Sequence, residues 1–119
     1  MNTLLLAALV AEGVVAIGFI SVPGQLLGPL GVTLAPAAIP IARLFGSAVL
    51  AFPVLLWSAR ASADPELRRV VVRALFVYFL VSTVLLLMTQ LGGLMNALGW
   101  TLVVLHAAFT IWFGAFLTK

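Results

Sequence analysis

The sequence predicts an all-α integral membrane protein, a four-helix bundle that forms a single domain over residues 1–119. Of its 119 residues, 65% are hydrophobic and 8% are charged, and the mean hydropathy is +1.32. So few charges cannot cover the exterior of a water-soluble fold, whereas a bilayer removes that requirement. Because each crossing needs about 20 residues, the chain has room for four crossings and for no soluble domain.

The first predicted span covers residues 3–22, and its only charged residue is Glu12. A cleaved signal peptide would carry a basic segment before its apolar run. Only Met1, Asn2 and Thr3 precede this run, and Glu12 interrupts it. We therefore expect the segment to be a transmembrane helix.

A loop rich in proline and glycine is predicted between the first two spans, over residues 23–40. It carries no charge, and its Pro and Gly residues disfavour a regular spanning helix. Apolar residues such as Leu26 and Leu30 argue against full solvation. We expect the loop to lie along the interface or to fold back against the bundle, where protein or water satisfies its backbone groups.

The second span is predicted over residues 41–59, with Arg43 in its first turn and Pro53 in its second half. The ring of Pro53 should kink this helix, because it clashes with the carbonyl four residues earlier and removes a backbone donor. Most of the charge of the chain lies in the connection that follows.

The third span is predicted over residues 70–91, as the embedded part of a helix that begins near Pro65. Asp64 is placed to act as the N-cap, and Pro65 as the first helical residue. Glu66 then lies in the first turn, where the helix dipole favours an acid. A Gly-Gly pair at residues 92–93 should end this helix.

The fourth span is predicted over residues 94–117. With four spans, both termini and the central connection lie on one side of the membrane. That side carries five basic side chains and the other only Arg43, so the positive-inside rule predicts that both termini are cytoplasmic and that the Pro/Gly loop is not. The five are Arg60, Arg68, Arg69, Arg73 and Lys119, of which the four arginines form the topology-determining basic cluster.

Glu12 is the candidate functional residue that stands out most clearly. An ionisable group near the bilayer centre costs about 2.5–3.5 kcal/mol on insertion scales, so such groups usually pair, face the interior or serve a function. We expect an intramembrane polar pair between Glu12 and Arg43, whose predicted depths bring them within reach. The alternatives are a carboxylate that couples protons or binds cations, and a protonated glutamate that faces lipid.

His106 falls near the middle of the fourth span. A single histidine can be the axial ligand of a tetrapyrrole, which is one interpretation of this residue. An interhelical hydrogen bond is the interpretation we favour.

Gln90 and Asn96 lie near the outer ends of the third and fourth spans. Together with Arg43 and the Pro/Gly loop, they are candidates for an outward-facing polar mouth. Ordinary interfacial polarity is the alternative.

Several function classes are not expected. The sequence has no cysteine, phosphate-binding loop, metal-ligand cluster or paired intramembrane carboxylates, so we expect no enzyme, no catalytic residue, no metal and no cofactor. The net charge of +3 reports topology in a membrane protein, so nucleic acid is not an expected partner. Small residues four apart, such as Ala42 and Gly46, instead favour close helix packing.

The segment Leu4–Glu12, Leu-Leu-Leu-Ala-Ala-Leu-Val-Ala-Glu, resembles the first helix of the small multidrug resistance transporters. Those are four-span proteins with an essential glutamate in that helix. The resemblance is confined to this helix, and it implies a small dimeric proton-coupled transporter that uses Glu12.

Three further segments resemble small uncharacterised bacterial four-span proteins, and this second resemblance extends over nearly the whole chain. The segments are Pro23–Val32, Ala42–Gly46 and Leu91–Trp100. The resemblance implies a four-span fold in the bacterial inner (plasma) membrane, and it assigns no activity.

We therefore expect a non-enzymatic inner-membrane protein that acts through lateral helix packing, as an oligomer or as an accessory subunit of a larger membrane complex. Its expected partners are the lipid bilayer and further copies or other membrane subunits. The alternatives are the proton-coupled transporter that uses Glu12 and a tetrapyrrole-binding subunit with His106 as axial ligand.

Overall fold

The computed structural model describes all residues from Met1 to Lys119 and confirms the all-α prediction, since it contains helices and no strands. A 3₁₀ turn at Gly28–Leu30 follows the second helix. The six α-helices are α1 (Asn2–Ser21), α2 (Pro23–Leu27), α3 (Ala38–Val49), α4 (Ala51–Ala61), α5 (Pro65–Leu91) and α6 (Gly99–Gly114).

Three stretches are long and apolar enough to cross a membrane: α1, the combined stretch Ala38–Ala61, and α5. The fourth, α6, is apolar but has only 16 residues. By length and composition, the chain is therefore a helical bundle suited to a membrane.

The second apolar stretch is interrupted at Leu50, which separates α3 from α4. The interruption lies just before Pro53, whose missing N–H leaves the carbonyl of Val49 without its usual helical donor. This agrees with the kink predicted from the sequence. The stretch begins at Ala38, three residues earlier than expected, because Pro40 falls in the first turn, where a proline is tolerated.

The start of α5 follows the local sequence. The side chain of Asp64 accepts a hydrogen bond from the backbone N–H of Glu66 at 2.9 Å, and Pro65 is the first helical residue. This capping satisfies one of the free donors at the helix N-terminus. The prediction that the helix begins in this way is confirmed.

The fourth helix is shorter than the predicted span 94–117, because α6 begins only at Gly99. The backbone N–H of Asn96 donates to the carbonyl of Leu30 at 2.8 Å, and its side-chain oxygen accepts from the N–H of Leu98 at 3.0 Å. These bonds hold residues 92–98 as a loop. At the other end, α6 loosens into turns after Gly114.

The helices pack as two pairs. One pair is α1 against the broken helix α3–α4, and the other is α5 against α6, with sparser contact between the pairs. A core of buried side chains from α1, α4, α5 and α6 joins them: Leu4, Leu5, Ala8, Leu56, Ala59, Val71, Val72, Leu75, Phe79, Phe109 and Phe113.

The bundle has two unlike ends. Met1, Pro65 and Lys119 line one cavity, so both termini and the central connection meet at one end, which we call the charged end. The opposite end holds residues 22–37 and 92–98, and we call it the loop end.

Candidate functional site

The centre of the candidate site is a buried hydrogen bond between α1 and α5. Glu12 is only 3% exposed, and its carboxylate Oε2 accepts a hydrogen bond from the hydroxyl of Tyr78 at 3.1 Å. Because the two residues belong to different helix pairs, this bond links the α1/α3–α4 pair to the α5/α6 pair.

The position of Glu12 follows from helical spacing along α1. The helix buries Leu5, Ala8, Glu12 and Ala16, which recur every three or four residues and so share one face. The carboxylate is therefore buried because it lies on the packing face of an otherwise apolar helix, between two alanines.

Aromatic rings surround the phenol of Tyr78. The ring centroids of Phe52 and Phe79 lie 4.6 Å and 5.0 Å from that of Tyr78, and the imidazole of His106 lies at 6.4 Å. These rings come from α4, α5 and α6. The carboxylate of Glu12 thus lies beside an aromatic wall built by three helices.

The interrupted helix passes the site at the same depth. A methyl group added at Gly13 would lie 3.7 Å from the ring of Pro53, so the residue beside Glu12 faces the proline that breaks the second apolar stretch. The irregular backbone and the buried acid are therefore neighbours.

Arg43 does not pair with Glu12, and this corrects the expected polar pair. The structure has one salt bridge, between Arg69 and Glu66, and Arg43 is exposed. Since α3 and α4 run antiparallel to α1, Glu12 lies at the level of Pro53. Arg43 is ten residues away, or about 15 Å along a helix axis at 1.5 Å per residue.

His106 does not form the interhelical hydrogen bond that we favoured. Its Nδ1 lies 2.8 Å from the carbonyl oxygen of Leu102, one turn earlier in the same helix, and its ring packs edge-on against Phe79. The polar contact across this interface is made by Thr83 and Thr110, whose hydroxyl oxygens are 3.2 Å apart. A tetrapyrrole at His106 stays a prediction.

Gln90 and Asn96 come together: Gln90, near the end of α5, bonds to the loop of residues 92–98, and Asn96 bonds that loop to the Pro/Gly loop. An outward-facing polar mouth at these residues stays a prediction. The side-chain nitrogen of Asn96 donates to the carbonyl of Pro29 at 2.9 Å, and that of Gln90 donates to the carbonyl of Asn96 at 3.0 Å. With the backbone bond from Asn96 to Leu30, these contacts tie residues 92–98 to the Pro/Gly loop. That loop folds back on the bundle, since Leu26 packs against Gly18.

The basic cluster lies at the charged end, and three of its members make specific contacts. Arg68 donates from Nε to the carbonyl of Ala59 at 3.0 Å, which caps the C-terminus of α4. Arg69 pairs with Glu66 at 3.1 Å, and Arg60 lies over the ring of Trp57 at 5.9 Å. Arg73 is exposed. Their role in topology stays a prediction.

The packing around Glu12 is unequal along the axis of the bundle. Toward the charged end, α5 buries Val71, Val72, Leu75 and Phe79, but beyond Phe79 it buries no residue until Gln90. Glu12 and Tyr78 thus lie where the close-packed part of the bundle ends.

Sequence reasoning missed Tyr78, although a signal was present. It is the only tyrosine in the chain, and it lies in the middle of the third predicted span. A phenol in mid-membrane requires a hydrogen-bond partner, and the only acid inside a predicted span is Glu12. Tyr78 was therefore a candidate partner of Glu12 from the sequence, and helix packing decides whether the two meet.

No family model, no curated protein and no solved structure matches the chain.

Proposed function

We propose that the protein is a small proton-coupled transporter that crosses a cell membrane four times and uses Glu12 as its coupling carboxylate. The observation that carries this proposal is the environment of Glu12. The carboxylate is buried, its hydrogen-bond partner is a neutral phenol, and no basic side chain neutralises it. An intramembrane acid in such a setting marks a functional site by default.

Coupling between a proton and a substrate cation follows from the free-energy cost of an unpaired carboxylate charge inside the bundle. A carboxylate without a counter-charge is strongly disfavoured away from water, so Glu12 is stable either with a proton or with a bound cation. A proton and a cation therefore compete for the carboxylate of Glu12, which can hold only one of them at a time. The rings of Phe52 and Tyr78, which are partly exposed, add a surface suited to an organic cation, which the face of an aromatic ring attracts.

Two features of the fold support a change in the access to this group. The Glu12–Tyr78 bond joins the two helix pairs, and the break at Leu50 and Pro53 lies beside it. In many transporters, discontinuous helices line the site and one bundle rocks against another. We propose the same for the α1/α3–α4 pair and the α5/α6 pair, with access to Glu12 from the loop end.

The excess of basic residues at the charged end supports cytoplasmic termini by the positive-inside rule. The likeness of Leu4–Glu12 to small multidrug resistance transporters supports the choice of transport and a dimer as the working unit. The likeness of Pro23–Val32, Ala42–Gly46 and Leu91–Trp100 to small bacterial four-span proteins supports a bacterial inner membrane as the location.

Uptake of tetraphenylphosphonium, an aromatic cation, into proteoliposomes under an outward proton gradient tests this function. We expect uptake by the wild type and background uptake by Glu12→Gln. Glu66→Gln is the matched control, because it removes an exposed, ion-paired acid, and it should keep wild-type uptake. Absence of uptake by the wild type, or equal uptake by Glu12→Gln, would contradict the proposal.

A second candidate is an accessory subunit that acts through lateral packing. It is supported by the polar groups of Asn96, Thr83 and Thr110, which bond within the chain and leave an apolar exterior. Purification in mild detergent separates the candidates, since partner subunits in fixed ratio favour this one. A visible absorption band that is lost in His106→Ala would instead establish a tetrapyrrole.

A further inference from the structure

The charged end contains a cavity of about 190 Å³ that is lined by three basic residues and by four residues with apolar side chains. It is formed where the start of α1, the first turns of α5 and the C-terminal segment meet. Its basic residues are Arg68, Arg69 and Lys119, and its apolar residues include Val72 and Phe116.

We propose that this cavity binds the phosphate headgroup of an anionic phospholipid. The charge at the cavity favours an anion, because it is lined by three basic side chains and by no Asp or Glu. Glu66, which contacts the lining residue Arg69, is ion-paired with it at 3.1 Å. The three basic side chains and the carboxylate of Glu66 therefore carry a net charge of two positive charges.

The arrangement of the lining favours a lipid over a free anion. The ammonium of Lys119 lies 5.2 Å from the ring centroid of Phe116, so a cation stands directly over an apolar surface. Val72 is buried on the same helix, one turn deeper than Arg68. A ligand that fills this space meets positive charge at one end and hydrocarbon at the other, which is the chemistry of an anionic phospholipid at the membrane interface.

Arg68 is the fixed part of the cavity. Its Nε and one Nη are held by the backbone carbonyls of Ala59 and Arg60, at 3.0 Å and 3.5 Å, so its guanidinium is positioned before a ligand arrives. Arg69 and Lys119 are exposed and can close on a headgroup. They are therefore the residues to remove in a test, since neither caps a helix.

Native mass spectrometry of the full chain tests the site. The protein is released from micelles that contain equal amounts of phosphatidylglycerol and phosphatidylcholine with the same acyl chains. We expect phosphatidylglycerol to be retained preferentially. Because each basic residue near a membrane surface is worth about 1 kcal/mol, or about fivefold, Arg69→Ala/Lys119→Ala should lower the preference by about 25-fold.

The control is Arg43→Ala/Arg73→Ala, which removes the same net charge from positions outside the cavity. It should keep the preference for phosphatidylglycerol. Equal retention of the two lipids by the wild type, or equal loss in both double variants, would overturn the proposal. Displacement of the lipid by an equal concentration of inorganic phosphate would also overturn it, since the cavity would then select a free anion.

Discussion

The two halves of the bundle, divided at the level of Glu12, are built differently. In the charged-end half, all four helix segments share one core that includes Leu5, Leu56, Leu75 and Phe113. In the loop-end half, contact lies within each helix pair: α3 packs on α1, and α5, which buries only Gln90 beyond Phe79, packs on α6, where Gly99 and Val103 are buried. Hydrogen bonds from Asn96, rather than a shared core, connect the loops at that end.

This difference indicates where the molecule can move. Close-packed side chains resist rearrangement, whereas a region with few buried contacts opens at a lower free-energy cost. Glu12 and Tyr78 lie at the boundary between the two kinds of packing. The carboxylate of Glu12 therefore adjoins close packing toward the charged end, whereas the packing toward the loop end can open at a lower free-energy cost.

The largest effect is expected in the shared core, from Phe79→Ala. Phe79 stacks on Phe109 at 4.8 Å and on Phe113 at 5.5 Å, and its removal leaves a cavity between α5 and α6. We expect the free energy of unfolding, measured by denaturant titration in micelles, to fall by about 3–5 kcal/mol. Val81→Ala, at an exposed position on the same helix, should change it little. Equal effects would mean that the shared core is not what stabilises this half.

A smaller loss is expected for Gly46→Ala at the α1/α3 contact. The added methyl would lie 2.7 Å from the β-carbon of Phe19 and 2.9 Å from the carbonyl oxygen of Ala16, so the helices must separate. We expect a loss of about 1–3 kcal/mol in the same titration. Gly24→Ala has open space around it and should be tolerated. A tolerated Gly46→Ala would show that the two helices are not closely packed.

At the loop end, Asn96→Ala should cost about 1–2 kcal/mol, because it removes the side-chain bonds to Pro29 and Leu98 while the backbone bond to Leu30 remains. The expected readout is local. Hydrogen exchange should rise in residues 23–35 and 92–98 and stay unchanged in the shared core. Faster exchange throughout the chain would contradict the division into two halves.

The smallest effect is expected at the charged end, from Arg68→Ala. The variant loses the cap on the C-terminus of α4, which we expect to cost about 1 kcal/mol. Arg73→Ala removes the same charge from an exposed position and is the control. A difference between the two in thermal unfolding would measure the cap alone, and identical midpoints would mean that the cap contributes nothing.

Features encoded by local chemistry could be predicted from the sequence, and those set by packing could not. The Asp64–Pro65 helix start and the break near Pro53 follow from capping and from a missing donor, so each was predictable. The partner of Glu12 depends on which helix faces it and at what depth. Arg43 was the nearest opposite charge by sequence, but the antiparallel packing of α1 on α3–α4 places it too far along the axis.

The same limit applies to Asn96. A polar residue after Gly-Gly predicts a loop, but its bonds to Pro29 and Leu30 join segments more than sixty residues apart. No local pattern encodes that contact. Because this contact was not predicted, the fourth helix was expected to begin at residue 94, five residues before Gly99, where α6 begins.

The central claim is that Glu12 can be protonated and that an apolar reagent dissolved in the bilayer can reach it. Dicyclohexylcarbodiimide, an apolar reagent that modifies protonated carboxyl groups, tests this directly in proteoliposomes. We expect a mass increase on the peptide that contains Glu12 and none in Glu12→Gln, while the exposed acids Asp64 and Glu66 react with a water-soluble carbodiimide instead. An unmodified Glu12 in folded protein, with Glu66 reacting normally, would contradict the account.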